Sequence, residues 1–246
     1  MIRFLISPGD VAGDKITIKG KEVHHLRNVL RLRRGEKVTC FDGKGREYRG
    51  RIERLSAAQA EVQIEKVAER KKESPLKITL AQSLIRSHKM DLVVQKCTEL
   101  GVFEIIPLRT ERSLINLDEA KRKARRERWQ RLAEAAAKQS GRVQIPTITE
   151  VRDFASLLET AGDFDLKIIS WEDEGDGKSF RDALTKRLSP PEKILLLIGP
   201  EGGFSAGEVA GAGKAGLLPI SLGSRILRSE TAAIAATAII VYEVGR

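Results

Sequence analysis

Residues 195–205, LLLIGPEGGFS, run from an apolar stretch directly into Gly-Pro-Glu-Gly-Gly. A short continuous apolar run bounded by glycine and proline reads as a strand buried on both faces. Such strands belong to parallel sheets covered by helices. The turn that closes this one is unusual for a plain connection, because Gly199, Gly202 and Gly203 surround a single carboxylate, Glu201. Glycines permit positive φ and close approach of backbone to a ligand, and Pro200 stiffens the turn while removing one donor. In open α/β sheets, ligands bind outside the carboxyl ends of the strands. A tight structural turn would use the same residues, so this stretch alone leaves both readings open.

Its flanks narrow the choice. Ser205 and Glu208 form a capping-box signature, which starts a helix there. GAGKAG at 211–216 is then the glycine-rich tail of that helix, although it fits G-x-G-x-x-G. A dinucleotide loop must follow a strand and open a helix, and a P-loop needs Ser or Thr where Ala215 follows Lys214. A second strand end comes next: LLPISLG predicts a strand over 217–222, which passes Gly223 and SRILR into a helix from Ser229. Two strand ends with accessible backbone, each preceding a helix, can build one pocket. Neither carries Lys or Arg in a phosphate-cradling position, so an adenosine held by backbone amides and carbonyls fits it.

Further out, LKITLAQSL, EIIPLRT, DLKIISW and KILLLIGP read as strands, with helices at KMDLVVQKCTELG and from about Asp118 to Ser140. This alternation predicts an α/β domain with a mostly parallel sheet. The last helix, ETAAIAATAIIVYEV, is apolar nearly all round and needs cover on more than one side, which another subunit can supply. The first seventy residues are β-rich, with a hairpin across Gly43–Gly45 and a short helical face of Val23, Leu26 and Leu30. AERKKESP has linker composition, which places a boundary near Ser74 and divides the chain into domains 1–73 and 74–246.

The 246 residues include 44 Lys and Arg against 34 Asp and Glu, a formal charge of +10. An ordinary basic enzyme and a protein with a polyanionic partner both fit that surplus. Lys121, Arg122, Lys123, Arg125, Arg126, Arg128 and Arg131 crowd the first half of the 118–140 helix, against the preference of a helix N-terminus for anions. Trp129, Leu132, Ala133, Ala136 and Ala137 form its apolar stripe. Arg27, Arg31, Arg33 and Arg34 make a second cluster in the other domain. Two such clusters suit an extended nucleic acid, while a solvated helix face is the plainer alternative. Cys40 and Cys97 form neither a disulfide framework nor a metal-type spacing, and AAIAATAIIVY at 232–242 is shorter than the ~20 residues of a membrane span. The expectation is a soluble cytoplasmic protein with no metal. His24, His25 and His88 read as surface or structurally satisfied histidines.

HHLRNVLRLRRGE (24–36), KCTELGV (96–102), ERW (127–129), KQSGR (138–142) with Pro146 beyond, IGPEGGFS (198–205) and LGSRILRSETA (222–232) together resemble the ribosomal RNA small subunit methyltransferase E family, in the SPOUT class. The likeness covers nearly the whole chain. It implies an N-terminal PUA-like β-barrel that binds RNA and a C-terminal SPOUT α/β domain with a deep trefoil knot. It also implies a homodimer, S-adenosylmethionine as cofactor, and methylation of N3 of one uridine near the 3′ end of 16S rRNA in the small ribosomal subunit. By motif, Ile198, Gly199, Pro200, Glu201 and Gly202 would hold the cofactor on one turn, and Leu222, Gly223, Ile226, Leu227 and Arg228 on the other. Ser170 and Trp171 would complete the wall. Arg27, Arg31, Arg33, Arg34, Arg122, Arg125 and Arg126 are the candidate RNA contacts. Arg228 is the candidate electrostatic catalyst, with Glu201 and Glu230 as candidates for base or for orienting it; a purely structural Arg228–Glu230 pair is the alternative. Ribose 2′-O methylation, and a non-catalytic RNA-binding role that leaves the paired turns unexplained, also remain open.

Overall fold

The computed structural model describes residues 2–69, 74–113, 115, 118–171, 180–185 and 189–245. The chain divides into two compact units. One comprises Met1–Glu73 with Ala137–Ile145, the other Ser74–Ala136 with Pro146–Arg246.

The first unit is built on β1 (Arg3–Leu5), β2 (Val11–Ala12), β3 (Lys15–Lys19), β4 (Lys37–Phe41), β5 (Arg46–Leu55) and β6 (Gln59–Glu69). They form one sheet in the order β1-β4-β5-β6-β3-β2, antiparallel throughout except for the parallel β1–β4 pair. No ladder joins β1 to β2 among the described residues, so the barrel takes the form of a curled sheet open at that seam. The hairpin falls between β4 and β5, as the glycines at 43–45 require. Alternate residues of β3 and β5 turn inward, and Phe4, Ile16, Ile18, Val38, Ile52 and Val62 share one core. Helix α1 (Lys21–His24) continues as a π-helical turn, His25–Val29, and adds Val23 and Leu26 to that core.

The second unit carries a sheet in which all strands run parallel. Its strands are β7 (Lys77–Ser83), β8 (Glu104–Arg109), β9 (Thr147–Ile148), β10 (Arg152–Asp153), β11 (Leu166–Ser170), β12 (Lys193–Ile198) and β13 (Leu218–Ile220). The order is β10-β8-β7-β12-β11-β13, with β9 also on β8. The apolar run that opened the sequence reading is β12, at the middle of the sheet. Ile194–Ile198 are all buried, and removing each such side chain from water is worth ~1.5–3 kcal/mol. Leu195 and Leu197 pack on one face with Leu157 of α4 (Phe154–Glu159) and Ala212 of α6 (Ala206–Lys214). Strand alternation turns Ile194, Leu196 and Ile198 to the other face, where α7 (Ser229–Val244) lies over β7 and β12 and against α2 (Ser87–Leu100). Helices α3 (Glu119–Ser140) and α5 (Phe180–Thr185) complete the set.

β13 is shorter than the 217–222 expected. After a bridge at Ser221, the Ser221 hydroxyl accepts from the Gly223 N–H, and the chain turns away from the sheet. It leaves at the β13 edge and returns to the centre as α7.

Candidate active site

Both glycine-bearing turns open into one cavity of about 670 Å³ at the carboxyl ends of β11 and β12, a volume within the usual range for small-molecule sites. On the first turn, Ile198, Gly199, Pro200 and Glu201 line it; on the second, Leu222, Gly223, Ile226, Leu227 and Arg228 do. Ser170 and Trp171, at the end of β11, form a third side. Gly203 (φ 66°) and Gly223 (φ 116°) adopt backbone conformations that side-chain-bearing residues rarely reach, and these allow both chains to bend over the cavity. Gly202 and Glu230 do not line it.

Side-chain hydrogen bonds fasten the two turns to each other. The Ser229 hydroxyl donates to the Gly199 carbonyl (2.5 Å) and accepts from Gln82 Nε2 (2.9 Å), which also donates to the Ser83 carbonyl. Gln82 and Ser229 are both buried, where each hydrogen bond is costly to lose. Glu208 caps α6 through Ser205, and its other oxygen accepts from the Glu111 N–H (2.9 Å). Arg112 Nη1 donates to the Gly202 carbonyl (3.0 Å). Gly202 thus faces the loop after β8, which explains its place outside the lining.

Lys89, in the first turn of α2, lies 3.2 Å from Glu201 and 3.5 Å from Glu230. One ammonium therefore bridges the first turn and the helix that follows the second. Lys89 is the cation found beside Glu230 among the described residues, in place of the Arg228–Glu230 pair considered above. Burial pushes the Glu201 carboxyl up, but its own N–H, the Lys89 ammonium and the Arg86 N–H outweigh this and hold it below the usual carboxylate range. A carboxylate held ionised in this way is poorly matched to accepting a proton near neutrality. Arg228 ends the irregular segment as the residue before α7, with its side chain exposed. Sequence reading missed Gln82, Arg86, Lys89, Arg225 and Ser229, of which all but Gln82 line the cavity, and it set aside His88, which lines the cavity as well.

The candidate RNA contacts lie elsewhere. Arg27, Arg31, Arg33 and Arg34 are exposed in the first unit. On α3, Arg126 pairs with Glu150 (2.7 Å) and donates to the Ile148 carbonyl, and Arg128 pairs with Asp91. Arg125 buries one guanidinium nitrogen, Nη1. Asp118 accepts from the Lys121 N–H and ammonium, so part of the conflict with the helix dipole is answered within the helix itself. Arg122 follows one turn later, its N–H bonded to the Asp118 carbonyl.

Burial pushes the Cys40 and Cys97 thiols up to about 12, which removes both as nucleophiles near neutral pH. Among the described residues there is no cluster of His, Cys, Asp and Glu suited to a metal, and no helix is long and apolar enough to cross a membrane.

Comparison with known proteins agrees with this geometry. Residues 72–241 match an RNA methyltransferase domain and residues 18–65 an RNA methyltransferase PUA domain. Ribosomal RNA small subunit methyltransferase E of Bacillus subtilis (strain 168) is 34% identical over 92% of this chain and 90% of its own length. The Synechocystis protein of the same name is 34% identical over 96% and 76%. A solved structure of ribosomal RNA small subunit methyltransferase E from Neisseria gonorrhoeae, bound to S-adenosyl methionine, superposes with TM-score 0.86 at 33% identity, covering 98% of this chain and 97% of that one. With its paired turns on one cavity and its likeness running nearly end to end, the chain belongs to the ribosomal RNA small subunit methyltransferase E family.

Proposed function

We propose that this protein is an S-adenosylmethionine-dependent methyltransferase of the small ribosomal subunit, which transfers a methyl group to N3 of a uridine near the 3′ end of 16S rRNA. The carrying observation is the single cavity shared by the turns at 198–203 and 222–228, in a chain whose relative from Neisseria gonorrhoeae is a cofactor complex. The residues fit that cofactor. Backbone from two glycine turns suits an adenosine, Leu222, Ile226 and Leu227 supply apolar contact, and no phosphate cradle is present among the described residues. When bound, the cofactor supplies a methyl group activated by a sulfonium.

What remains for the protein is to align the acceptor and stabilise its charge. Uracil N3 must lose a proton, which spreads negative charge onto O2 and O4. Arg228 is placed to meet that charge, as a donor in an oxyanion hole does. Glu201 and Glu230, joined through Lys89, hold the turns and the start of α7 in place. The domain roles follow the expected boundary near Ser74, except that 137–145 fold with the first unit: 1–73 serves as the PUA-like RNA-binding part, and the remainder of 74–246 as the methyltransferase part. Arg27, Arg31, Arg33 and Arg34 are the exposed RNA contacts, joined by Arg122 and Arg125. Arg126 would have to exchange Glu150 for a phosphate.

The protein acts in the cytoplasm as a homodimer. The outward face of α7 supports the dimer: Ile234, Ala235, Ala238 and Ile239 are half-exposed beside Tyr242, which is 68% exposed. Ile234→Asp is expected to convert a dimer to a monomer in sedimentation equilibrium; a wild-type monomer would end that part of the reading.

Binding of S-adenosylmethionine at 100 times its Kd should stabilise the protein by about 2.7 kcal/mol, read as a rise in melting temperature. Small subunits lacking the mark, incubated with enzyme and cofactor, should yield N3-methyluridine on digestion and mass spectrometry. Ribose 2′-O-methyluridine would move the activity to the sugar, and no methyl transfer despite cofactor binding would leave an RNA-binding protein.

A further inference from the structure

The lining of the cavity is more cationic than its cofactor needs. Arg86, Lys89, Arg225 and Arg228 face it, against Glu201 as the lone carboxylate among the described lining residues. Lys89 is committed to Glu201 and Glu230. Arg86, Arg225 and Arg228 are exposed, and among the described residues none of their guanidinium groups has a hydrogen-bond or ion-pair partner. S-adenosylmethionine carries a sulfonium, an ammonium and one carboxylate, so it is itself a net cation. Its carboxylate carries a single negative charge, which can neutralise only one of the three guanidiniums. Three unpaired arginines around a site for a cation are mutually repulsive until an anion arrives.

The anion that this chemistry calls for is the acceptor strand. N3 lies on the pairing edge of uracil, which is covered in a duplex, so the target nucleotide must be unpaired and turned out towards the cavity. Phosphodiesters then flank the base on either side. Arg86 stands where β7 passes into α2, and Arg225 stands on the second turn, so the two reach the same cavity from separate segments. Between Arg225 and Arg228 in sequence, Ile226 is 81% exposed and offers an apolar surface to a base.

Resting on the proposed methyltransferase reading, we infer that Arg86 and Arg225 are positioning residues that clamp the phosphates flanking the target uridine in single-stranded RNA. Guanidinium forks suit phosphate oxygens. Arg228 is left for the base itself.

The test uses the full-length protein, small ribosomal subunits purified without the mark, and radiolabelled S-adenosylmethionine. Arg86→Ala and Arg225→Ala should each raise the KM for subunits about tenfold, the loss of one charge-assisted contact. Turnover at saturation and cofactor Kd should stay within about twofold. The log–log dependence of kcat/KM on KCl should flatten by about 0.7 for each arginine removed, the increment for one single-strand phosphate contact. Arg86→Lys and Arg225→Lys should restore most of the slope.

An unchanged salt slope overturns the inference, because a merely structural arginine would leave that exponent alone. Cofactor affinity falling in step with KM also overturns it, by assigning the arginines to the cofactor carboxylate. If the wild-type protein neither binds cofactor nor methylates subunits, the methyltransferase reading itself fails. An active wild type with indifferent variants removes the clamp alone.

Discussion

Arg228→Ala is expected to lower single-turnover methyl transfer by about 10²–10³-fold, the usual loss for one oxyanion-type donor, while cofactor affinity changes little. The asymmetry follows from where the charge develops. On the proposed reading uracil is neutral before reaction, so Arg228 gains little by binding it; as the N3 proton departs, O2 and O4 would take up negative charge beside a guanidinium with no partner among the described residues. Lys89 is a poorer candidate despite facing the same cavity, because two carboxylates already share its ammonium. Glu201 is an equally poor base, since its neighbours hold it ionised. Arg228→Lys keeps the charge and loses the fork, and should recover part of the rate. Rapid-quench transfer to small subunits, paired with calorimetric titration of S-adenosylmethionine, separates the outcomes. Retained turnover removes Arg228 from the reaction, and an equal loss in cofactor binding moves it to the cofactor carboxylate.

The split between what sequence could and could not supply is visible in this same site. Both turns were legible because each is written in contiguous residues. An apolar run ends in glycine and proline at 195–203, and Ser205 with Glu208 announces a helix whose cap the structure contains. The residues that join the turns carry no such local signal. Gln82 and Ser229 are 147 positions apart, and Lys89 and Glu201 are 112 apart; only the strand order, with β7 beside β12, brings them together. Arg86 and Arg225 looked like two more cations in a chain rich in them. The stripe on α3 showed that Trp129, Ala133, Ala136 and Ala137 would be buried, yet small apolar residues do not say against what. Residues 137–145 belong to the first unit, and nothing in helical periodicity points there. The knot was expected only from resemblance, because threading is a property of chain order in space.

That excursion of residues 137–145 sets up the largest stability effect. Arg3 on β1 pairs with Glu47 on β5 at 3.2 Å, with the two side chains 8% and 2% exposed. Its Nη1 donates to the Gly141 carbonyl (2.8 Å) and its Nη2 to the Arg142 carbonyl (2.9 Å), and the guanidinium lies 4.7 Å from the Phe41 ring centroid. Two residues after Arg142, Gln144 forms a bridge with Lys44 beyond β4, and before them Lys138 pairs with Glu22 (2.7 Å). The KQSGR motif thus has a structural meaning, as the segment that Arg3 and Glu22 hold within the first unit. Arg3→Met should cost about 3–5 kcal/mol, because it removes the buried guanidinium paired with the buried Glu47 carboxylate and leaves the half-exposed Arg49 as a poorer substitute. Hydrogen exchange of the β1, β4 and β5 amides should accelerate by about 10²–10⁴-fold, while β7 and β12 keep their protection. Replacing both partners, Arg3→Met with Glu47→Met, should recover most of the loss, since a buried pair swapped for apolar side chains leaves no uncompensated charge. If the double variant is no more stable than Arg3→Met, the carbonyl bonds to Gly141 and Arg142 carry the stability instead of the ion pair. If Arg3→Met exchanges like wild type, neither interaction holds the segment, and the buried guanidinium is not what keeps the first unit folded around residues 137–145.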